Sequence, residues 1–261
     1  MKVLCLHGKG TSGAIFKSQT SSFRAQLAQK DIQFDFIDGP FKSEPAAGVD
    51  LFYPPPYYGF WERGSVDDIR SGCDWLREYI SKHGPYDAVM GFSQGTILAS
   101  AYLLFHEEET PHLPPPFKIA IFHCGGVSFQ VLQELGFNIT PAMHARDLAS
   151  RNALASSASA EAILRMGTSR WQGDNSGGGL SEQAIRDEIK GPVQISIPTV
   201  HVYGTKDPRY AAGVQLSGVC DPAKRRCYNH GGGHEIPRQS TVTNALVELF
   251  EWAIDAVDEA C

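Results

Sequence analysis

A serine flanked by glycines lies where two kinds of sequence pattern meet. The pentapeptide Gly91-Phe92-Ser93-Gln94-Gly95 follows the apolar run 87–90 and precedes the helical run 96–101. A Gly-x-Ser-x-Gly at a strand-to-helix turn holds the serine hydroxyl at the edge of a sheet, exposed for attack on a carbonyl carbon. Glycines leave room for neighbouring backbone in so sharp a turn. Ser93 is therefore the candidate nucleophile.

A serine nucleophile needs a base within reach and a third group that orients the base. Asp207 follows the apolar run 199–203, and His234 follows the three glycines at 231–233. The order Ser, Asp, His along the chain is the one that α/β-hydrolases use. The sequence therefore predicts that His234 acts as the base and that Asp207 orients it.

Two other residues compete for these roles. Asp221 also precedes a proline, but a longer excursion separates it from the run 199–203, so Asp207 is preferred. His230 comes before the glycines, where its ring is less free to reach Ser93.

Hydrolysis of an acyl group also needs two backbone N–H donors for the developing oxyanion. The first predicted donor is the amide of Gln94, directly after the nucleophile. The second is expected in the glycine-rich loop 6–13, with Lys9 as the candidate and Gly10 as the next choice. His7 is interpreted as an internal support of that loop.

Short apolar runs alternate with helical patterns along the chain. This alternation is typical of an α/β fold with a mostly parallel sheet and helices on both faces, and it predicts the elements that position these residues. Helices are predicted at 65–80, where Ser65-x-x-Asp68 forms a capping pattern, and at 240–257. Strands are predicted at 2–6, 34–37, 88–91, 118–122, 199–203 and 226–229.

Two stretches interrupt this alternation. The segment 39–64 is rich in proline and aromatic residues, and its predicted substrate contacts are Tyr57, Tyr58, Phe60 and Trp61. The stretch 127–195, called the insertion below, is expected to form a cap or lid, with a helical part at 149–162 and a mobile glycine-rich part at 173–179. The alternative is a solvent-exposed elaboration without a binding role.

The composition and the charge of the chain exclude some classes of protein. The formal net charge is −6 over 261 residues, which argues against nucleic acid as a partner. No apolar run is long enough for a membrane span, and the first residues do not resemble a secretory signal, so we expect a cytoplasmic protein with one domain, 1–261. The six cysteines are interpreted as free thiols, with a Cys220–Cys227 pairing left open. No spacing indicates a metal site or a cofactor.

Several motifs together resemble the fungal serine hydrolase family of α/β-hydrolases, which includes the stand-alone thioesterases of polyketide pathways. The resemblance implies Ser93, Asp207 and His234 as the triad. It also implies an acyl thioester substrate, with the acyl-carrier domain of a polyketide synthase as a partner. The motifs are Val3-Leu4-Cys5-Leu6-His7-Gly8, Tyr57-Tyr58-Gly59-Phe60-Trp61, Gly91-Phe92-Ser93-Gln94-Gly95, Tyr203-Gly204-Thr205-Lys206-Asp207 and Gly232-Gly233-His234-Glu235-Ile236-Pro237.

Two other functions use the same residues or the same scaffold. A general carboxylesterase on short or medium acyl esters would share every catalytic residue. A non-catalytic ligand receptor would keep the pocket without hydrolysis, and the intact set of Ser93, Asp207 and His234 argues against it.

Overall fold

The strands run where short branched and apolar stretches predict them. The structure is a computed structural model, and it describes residues 1–157, 159–171 and 179–258. All six predicted strands are confirmed, with boundaries that shift by at most one residue. In chain order the strands are β1 Lys2–Leu6, β2 Gln33–Ile37, β3 Phe41–Lys42, β4 Tyr58–Gly59, β5 Ala88–Phe92, β6 Ile119–His123, β7 Thr199–Tyr203 and β8 Arg225–Asn229.

The six longer strands form one sheet in the order β2-β1-β5-β6-β7-β8, and every neighbouring pair is parallel. Their carboxyl ends therefore lie along a single edge, where side chains from β5, β7 and β8 come together although they are distant in the chain. The short strands β3 and β4 form a separate antiparallel pair. The predicted α/β class is confirmed.

Helices connect the strands, and the capping pattern at Ser65 is formed as predicted. The Ser65 hydroxyl accepts a hydrogen bond from the Asp68 N–H, and the Asp68 carboxylate accepts one from the Ser65 N–H. The helices are α1 Gly13–Gln19, α2 Ser21–Gln26, α3 Val66–His83, α4 Gln94–Glu109, α5 Phe129–Glu134, α6 Pro141–Ser157, α7 Ala160–Met166, α8 Glu182–Asp187, α9 Tyr210–Gly218 and α10 Ser240–Asp258.

Alternate residues of the sheet pack into two separate cores, as expected when helices cover both faces. In β1, Leu4 and Leu6 join a core with residues of α3, α4 and α5. Val3 and Cys5 face the other way, into a core with residues of α1, α2 and α10. Burial on both faces fixes the register of the strands, because a slip by one residue would reverse every side chain.

The insertion lies between β6 and β7 and contains α5 to α8. Its predicted helical part is confirmed in α6 and α7, whereas 173–178 of the predicted mobile part lie outside the described residues. Cys220 and Cys227 are both free thiols. Within the described part of the chain, no helix has the length and apolar character needed to cross a membrane.

Candidate active site

The backbone around Ser93 has the sharp turn that the Gly-x-Ser-x-Gly pattern predicts. Ser93 lies between β5 and α4 with a φ of 53°, in the left-handed region that a non-glycine residue adopts only under constraint. A Cβ atom at Gly91 would lie 2.6 Å from the Thr96 nitrogen, and one at Gly95 would lie 2.1 Å from the Leu6 oxygen. Both positions therefore require glycine.

The side chains of Ser93, His234 and Asp207 form one hydrogen-bonded chain at the carboxyl edge of the sheet. His234 Nε2 lies 3.1 Å from Ser93 Oγ, and His234 Nδ1 lies 2.8 Å from Asp207 Oδ2. A carboxylate can only accept, so Nδ1 carries the proton and Nε2 is free to accept one from the serine hydroxyl. Asp207 is fully buried, and its other oxygen accepts a hydrogen bond from the Arg209 N–H at 2.7 Å.

The loops that carry Asp207 and His234 are tied to each other by hydrogen bonds. The Lys206 N–H donates to the Gly232 carbonyl at 3.0 Å, and a Cβ at Gly204 would lie 2.1 Å from that oxygen. The Asn229 side-chain oxygen accepts from both the N–H and the hydroxyl of Thr205. These contacts fix the distance between the Asp207 and His234 loops.

The competing residues have other partners. Asp221 accepts a hydrogen bond from the Ala223 N–H at 2.9 Å, which is a local turn. His230 accepts one from the Gly232 N–H, and its Nε2 lies 3.8 Å from Cys124 Sγ. Burial lowers the pKa of His230 to about 4, against the opposing effect of the Asp207 charge.

Two backbone segments approach Ser93, the first turn of α4 and the loop after β1. The Gln94 N–H belongs to the first turn of α4, where amides have no acceptor within the helix. The loop after β1 also reaches the serine, because a Cβ at Gly8 would lie 3.4 Å from Ser93 Cβ. His7 supports this loop from inside: Nδ1 donates to the Gly8 carbonyl at 2.7 Å, and Nε2 accepts from the Gly39 N–H at 3.0 Å.

The family model described as "Serine hydrolase (FSH1)" matches residues 1–246. The chain belongs to this family of serine hydrolases.

Curated relatives of this serine hydrolase agree with the family over nearly the whole chain. Esterase alnB of Emericella nidulans is 31% identical over 281 residues, covering 97% of this chain and 96% of the relative. Esterase FPY3 of Fusarium mangiferae is 31% identical over 241 residues, covering 91% of this chain and 89% of the relative. The family match and these relatives identify the protein as a serine hydrolase.

Solved structures show the same fold at low sequence identity. A carboxylesterase from Mesorhizobium loti has a TM-score of 0.50 at 12% identity and covers 96% of this chain and 88% of that structure. A monoacylglycerol lipase from Paleococcus ferrophilus also has a TM-score of 0.50, at 13% identity. It covers 98% of this chain and 94% of that structure. The architecture is thus that of an α/β-hydrolase.

The aromatic segment of this hydrolase packs mainly inward. Phe60 has no exposed surface, and its ring lies 4.9 Å from the His7 ring and 5.8 Å from that of Trp75. Trp61 and Tyr57 are also buried, whereas Tyr58 is half-buried. A substrate contact by the Phe60 ring is not available in this conformation, and the ring instead supports the loop after β1.

The Gln94 side chain explains why the aromatic segment folds inward. Its Oε1 accepts a hydrogen bond from the Phe60 N–H at 3.0 Å, and its Nε2 donates to the Trp61 carbonyl at 3.2 Å. Both backbone groups of the segment are therefore satisfied next to the serine. The sequence predicts a role only for the Gln94 backbone, because nothing in the pentapeptide indicates where its side chain binds.

Cys124, at the end of β6, was not predicted at the site. Its φ is 46°, and its buried Sγ donates to the Glu235 carbonyl at 3.3 Å, directly after His234. Burial, followed by the Asp207 charge, raises the pKa of this thiol well above its usual value, so it is protonated. The sequence signal that could have identified Cys124 as a residue near the site is its position directly after a central parallel strand.

The insertion contacts the loops that carry Asp207 and His234, through residues that the sequence analysis did not single out. The guanidinium of Arg209, two residues after Asp207, lies 2.7 Å from Asp147 Oδ1 of α6. Trp171 packs over the other loop so closely that a Cβ at Gly233 would lie 2.2 Å from its ring. The insertion therefore lies beside the site and touches it from two sides.

Proposed function

We propose that this serine hydrolase cleaves an acyl thioester in the cytoplasm, with Ser93 as nucleophile, His234 as base and Asp207 as the group that orients the base. The hydrogen-bonded chain from Ser93 Oγ through His234 to Asp207 carries the proposal, because it joins the three groups that nucleophilic catalysis requires. The five described cysteines are free thiols, which supports a reducing compartment.

In the first half of the reaction, Ser93 Oγ forms a bond to the acyl carbon while His234 Nε2 takes the hydroxyl proton. The backbone N–H groups of Gln94 and Lys9 are the proposed donors to the oxyanion, aided by the positive end of α4. The C–S bond then breaks, and the protonated imidazole gives its proton to the leaving sulfur. The acyl-enzyme remains on Ser93.

In the second half, His234 takes a proton from a water molecule whose oxygen bonds to the acyl carbon. The bond to Ser93 Oγ breaks, and the proton returns to that oxygen, so that the free acid and the intact enzyme are released. Because Asp207 is buried and hydrogen-bonded to Nδ1, it stabilises the imidazolium that forms in each half.

The substrate class rests on the resemblance to polyketide-pathway thioesterases, with an acyl chain on an acyl-carrier domain as the proposed substrate. We further propose one domain, 1–261, in which the insertion caps the site. The contacts of Asp147 with Arg209 and of Trp171 with Gly233 support this role. Among the aromatic residues, the half-buried Tyr58 has the surface to contact an acyl chain.

A carboxylesterase acting on oxygen esters is the second candidate. The specific observation in its favour is that the relatives from Emericella nidulans and Fusarium mangiferae are both named esterases. The first covalent step is the same for both substrates, so kinetics on matched pairs separates them.

Two measurements test the proposal. A fluorophosphonate probe should label the wild-type protein at Ser93, as read by peptide mass, and should not label Ser93→Ala; labelling of both, or of neither, removes Ser93 as the nucleophile. For the substrate, kcat/KM is compared between N-acetylcysteamine thioesters and ethyl esters of the same acyl chains. If every oxygen ester is turned over faster than its matched thioester, the protein is a carboxylesterase. If the acyl compounds bind but are not turned over, the protein is a receptor.

A further inference from the structure

Three metal-binding atom types meet at the proposed active site, two of them on the proposed catalytic residues Asp207 and His234. Cys124 Sγ, a carboxylate oxygen of Asp207 and a ring nitrogen of His234 all lie within 4.8 Å of one another. Cys124 directly follows β6, whereas Asp207 and His234 lie in the loops after β7 and β8, so no local spacing in the sequence indicates the cluster. The parallel sheet alone brings them together.

The donor set fits zinc better than it fits a hard cation. Zinc takes thiolate sulfur, imidazole nitrogen and carboxylate oxygen, whereas magnesium and calcium prefer oxygen alone. With bond lengths of about 2.0 to 2.3 Å, a tetrahedral zinc separates its donor atoms by roughly 3.3 to 3.6 Å. The 2.8 Å between His234 Nδ1 and Asp207 Oδ2 needs only a small widening for the metal to replace the shared proton.

The charges also balance in this buried place. Cys124 and Asp207 are both buried, and an isolated charge there would be costly. One thiolate and one carboxylate cancel the two positive charges of the ion, so the occupied site is neutral. Charge balance therefore favours a divalent ion that binds both anions at once.

A hydrogen bond is already directed at the sulfur. His230 Nδ1 accepts from the Gly232 N–H at 3.1 Å, so the ring proton of this neutral histidine is on Nε2, 3.8 Å from Cys124 Sγ. An N–H directed at a thiolate stabilises it, as partners of metal ligands generally do. His230 thus supports the sulfur and is not itself a ligand.

We propose that Cys124, Asp207 and His234 form an inhibitory zinc site that competes with the catalytic hydrogen bond. On binding, the Cys124 thiol releases its proton to solvent, and the proton on His234 Nδ1 is replaced by one on Nε2. That Nε2–H donates to Ser93 Oγ and no longer accepts the serine proton, so hydrolysis stops. The inhibition rests on the proposed catalytic roles, whereas metal binding itself does not.

Cobalt(II) tests the binding without any use of activity, because a thiolate bound to cobalt gives a near-ultraviolet charge-transfer band. Titration of the wild-type protein with cobalt chloride should give this band at one ion per chain. Ser93→Ala and Cys227→Ala should give the same band, since Cys227 is an exposed thiol outside the cluster. Cys124→Ala and Cys124→Ser should lose it. A band that survives in both Cys124 variants overturns the proposal, as does its absence in the wild type.

Zinc chloride tests the consequence for turnover. Each variant is compared with its own rate in EDTA, so any change in basal activity cancels. Zinc should inhibit the wild-type and Cys227→Ala proteins reversibly, and the inhibitory concentration should rise at least about tenfold in Cys124→Ser. Equal inhibition of the wild type and Cys124→Ser overturns the proposal. A cobalt band without zinc inhibition would place the ion at the cluster and count instead against His234 as the base.

Discussion

The carboxyl edge of the sheet and the insertion lie side by side, but different forces hold them. Helix α4, directly behind Ser93, has sixteen residues and buries eleven of them. Helix α6 of the insertion has seventeen residues and buries only Met143. Where burial is small, hydrophobic free energy contributes little, so the insertion depends on specific polar contacts.

Those contacts are ion pairs. The Arg146 guanidinium bonds the Glu188 carboxylate within the insertion. The buried Arg209, in the loop that carries Asp207 and is called the acid loop below, bonds Asp147 of the insertion. Ion pairs in partly buried places are sensitive to the loss of one partner, because the other charge is left without compensation. The comparison teaches that packing holds the turn around Ser93, whereas the position of the insertion can be changed by single charges.

The largest expected effect comes from the sheet edge. Asp207→Asn should leave the fold intact and lower kcat by about ten-thousand-fold, because an amide in place of the carboxylate favours the wrong tautomer of His234. Circular dichroism and thermal unfolding check the fold, and steady-state kinetics on a p-nitrophenyl ester check the rate. A loss of less than about tenfold would show that another group orients His234.

A smaller effect is expected where the insertion meets the acid loop. In Asp147→Asn, the buried Arg209 guanidinium loses its charged partner, and the Arg209 N–H that holds Asp207 shifts with it. We expect kcat to fall by about tenfold, less than the roughly 100-fold that a misplacement of about 1 Å can cause. The unfolding temperature should fall as well.

Arg151→Gln is the matched control for that variant. Arg151 also pairs with Asp147, but its side chain is 51% exposed. Among the described residues it forms no hydrogen bond or ion pair with the acid loop. An exposed pair contributes about 0 to 1 kcal/mol, so stability and kcat should both stay near wild type. Equal losses in Asp147→Asn and Arg151→Gln would mean that the link to Arg209 carries no special role.

The last prediction concerns stability in acid, with no effect on turnover expected near neutral pH, and it again separates the two regions. Burial, followed by the charge of His230, lowers the pKa of His123 to about 3. In the unfolded chain the imidazole titrates near 6.5, so between about pH 6.5 and 3 the unfolded state binds one more proton. Stability from this group is therefore complete above pH 6.5 and is lost as the pH falls, by about 1.4 kcal/mol per pH unit.

His123→Phe should flatten this dependence by that amount, as measured by urea unfolding at several pH values. His144→Phe, on the exposed surface of α6, should leave the slope unchanged. A slope that stays the same in His123→Phe would show that His123 is not the group whose protonation opposes folding.

The residues that sequence predicts well are those whose local pattern requires one backbone path. Ser93 is such a residue, because glycines at 91 and 95 permit only the sharp turn that the structure shows. The strands are predictable for a related reason, since short branched runs buried on both faces have few other solutions. The meeting of Ser93, Asp207 and His234 then follows from parallel strands that end at one edge.

Other features depend on contacts that no local pattern encodes. Phe60 faces the core because the Gln94 side chain binds its backbone, which the aromatic composition alone does not indicate. Cys124 reaches the site through a left-handed turn that no glycine marks. The contact of Arg209 with Asp147 depends on how the insertion folds back, which requires the tertiary structure.

The neighbouring strands β5 and β6 end in the same unusual way. The residue that leaves each strand, Ser93 or Cys124, has a left-handed backbone without being glycine. Such a residue costs about 1 to 3 kcal/mol of folding free energy, which glycine would recover. Of the two residues, only Ser93 has a role in the proposed hydrolysis. A descendant gene released from selection for hydrolysis would therefore accept glycine at position 93 early, and glycine there in a related gene would indicate that hydrolysis had been lost and stability gained.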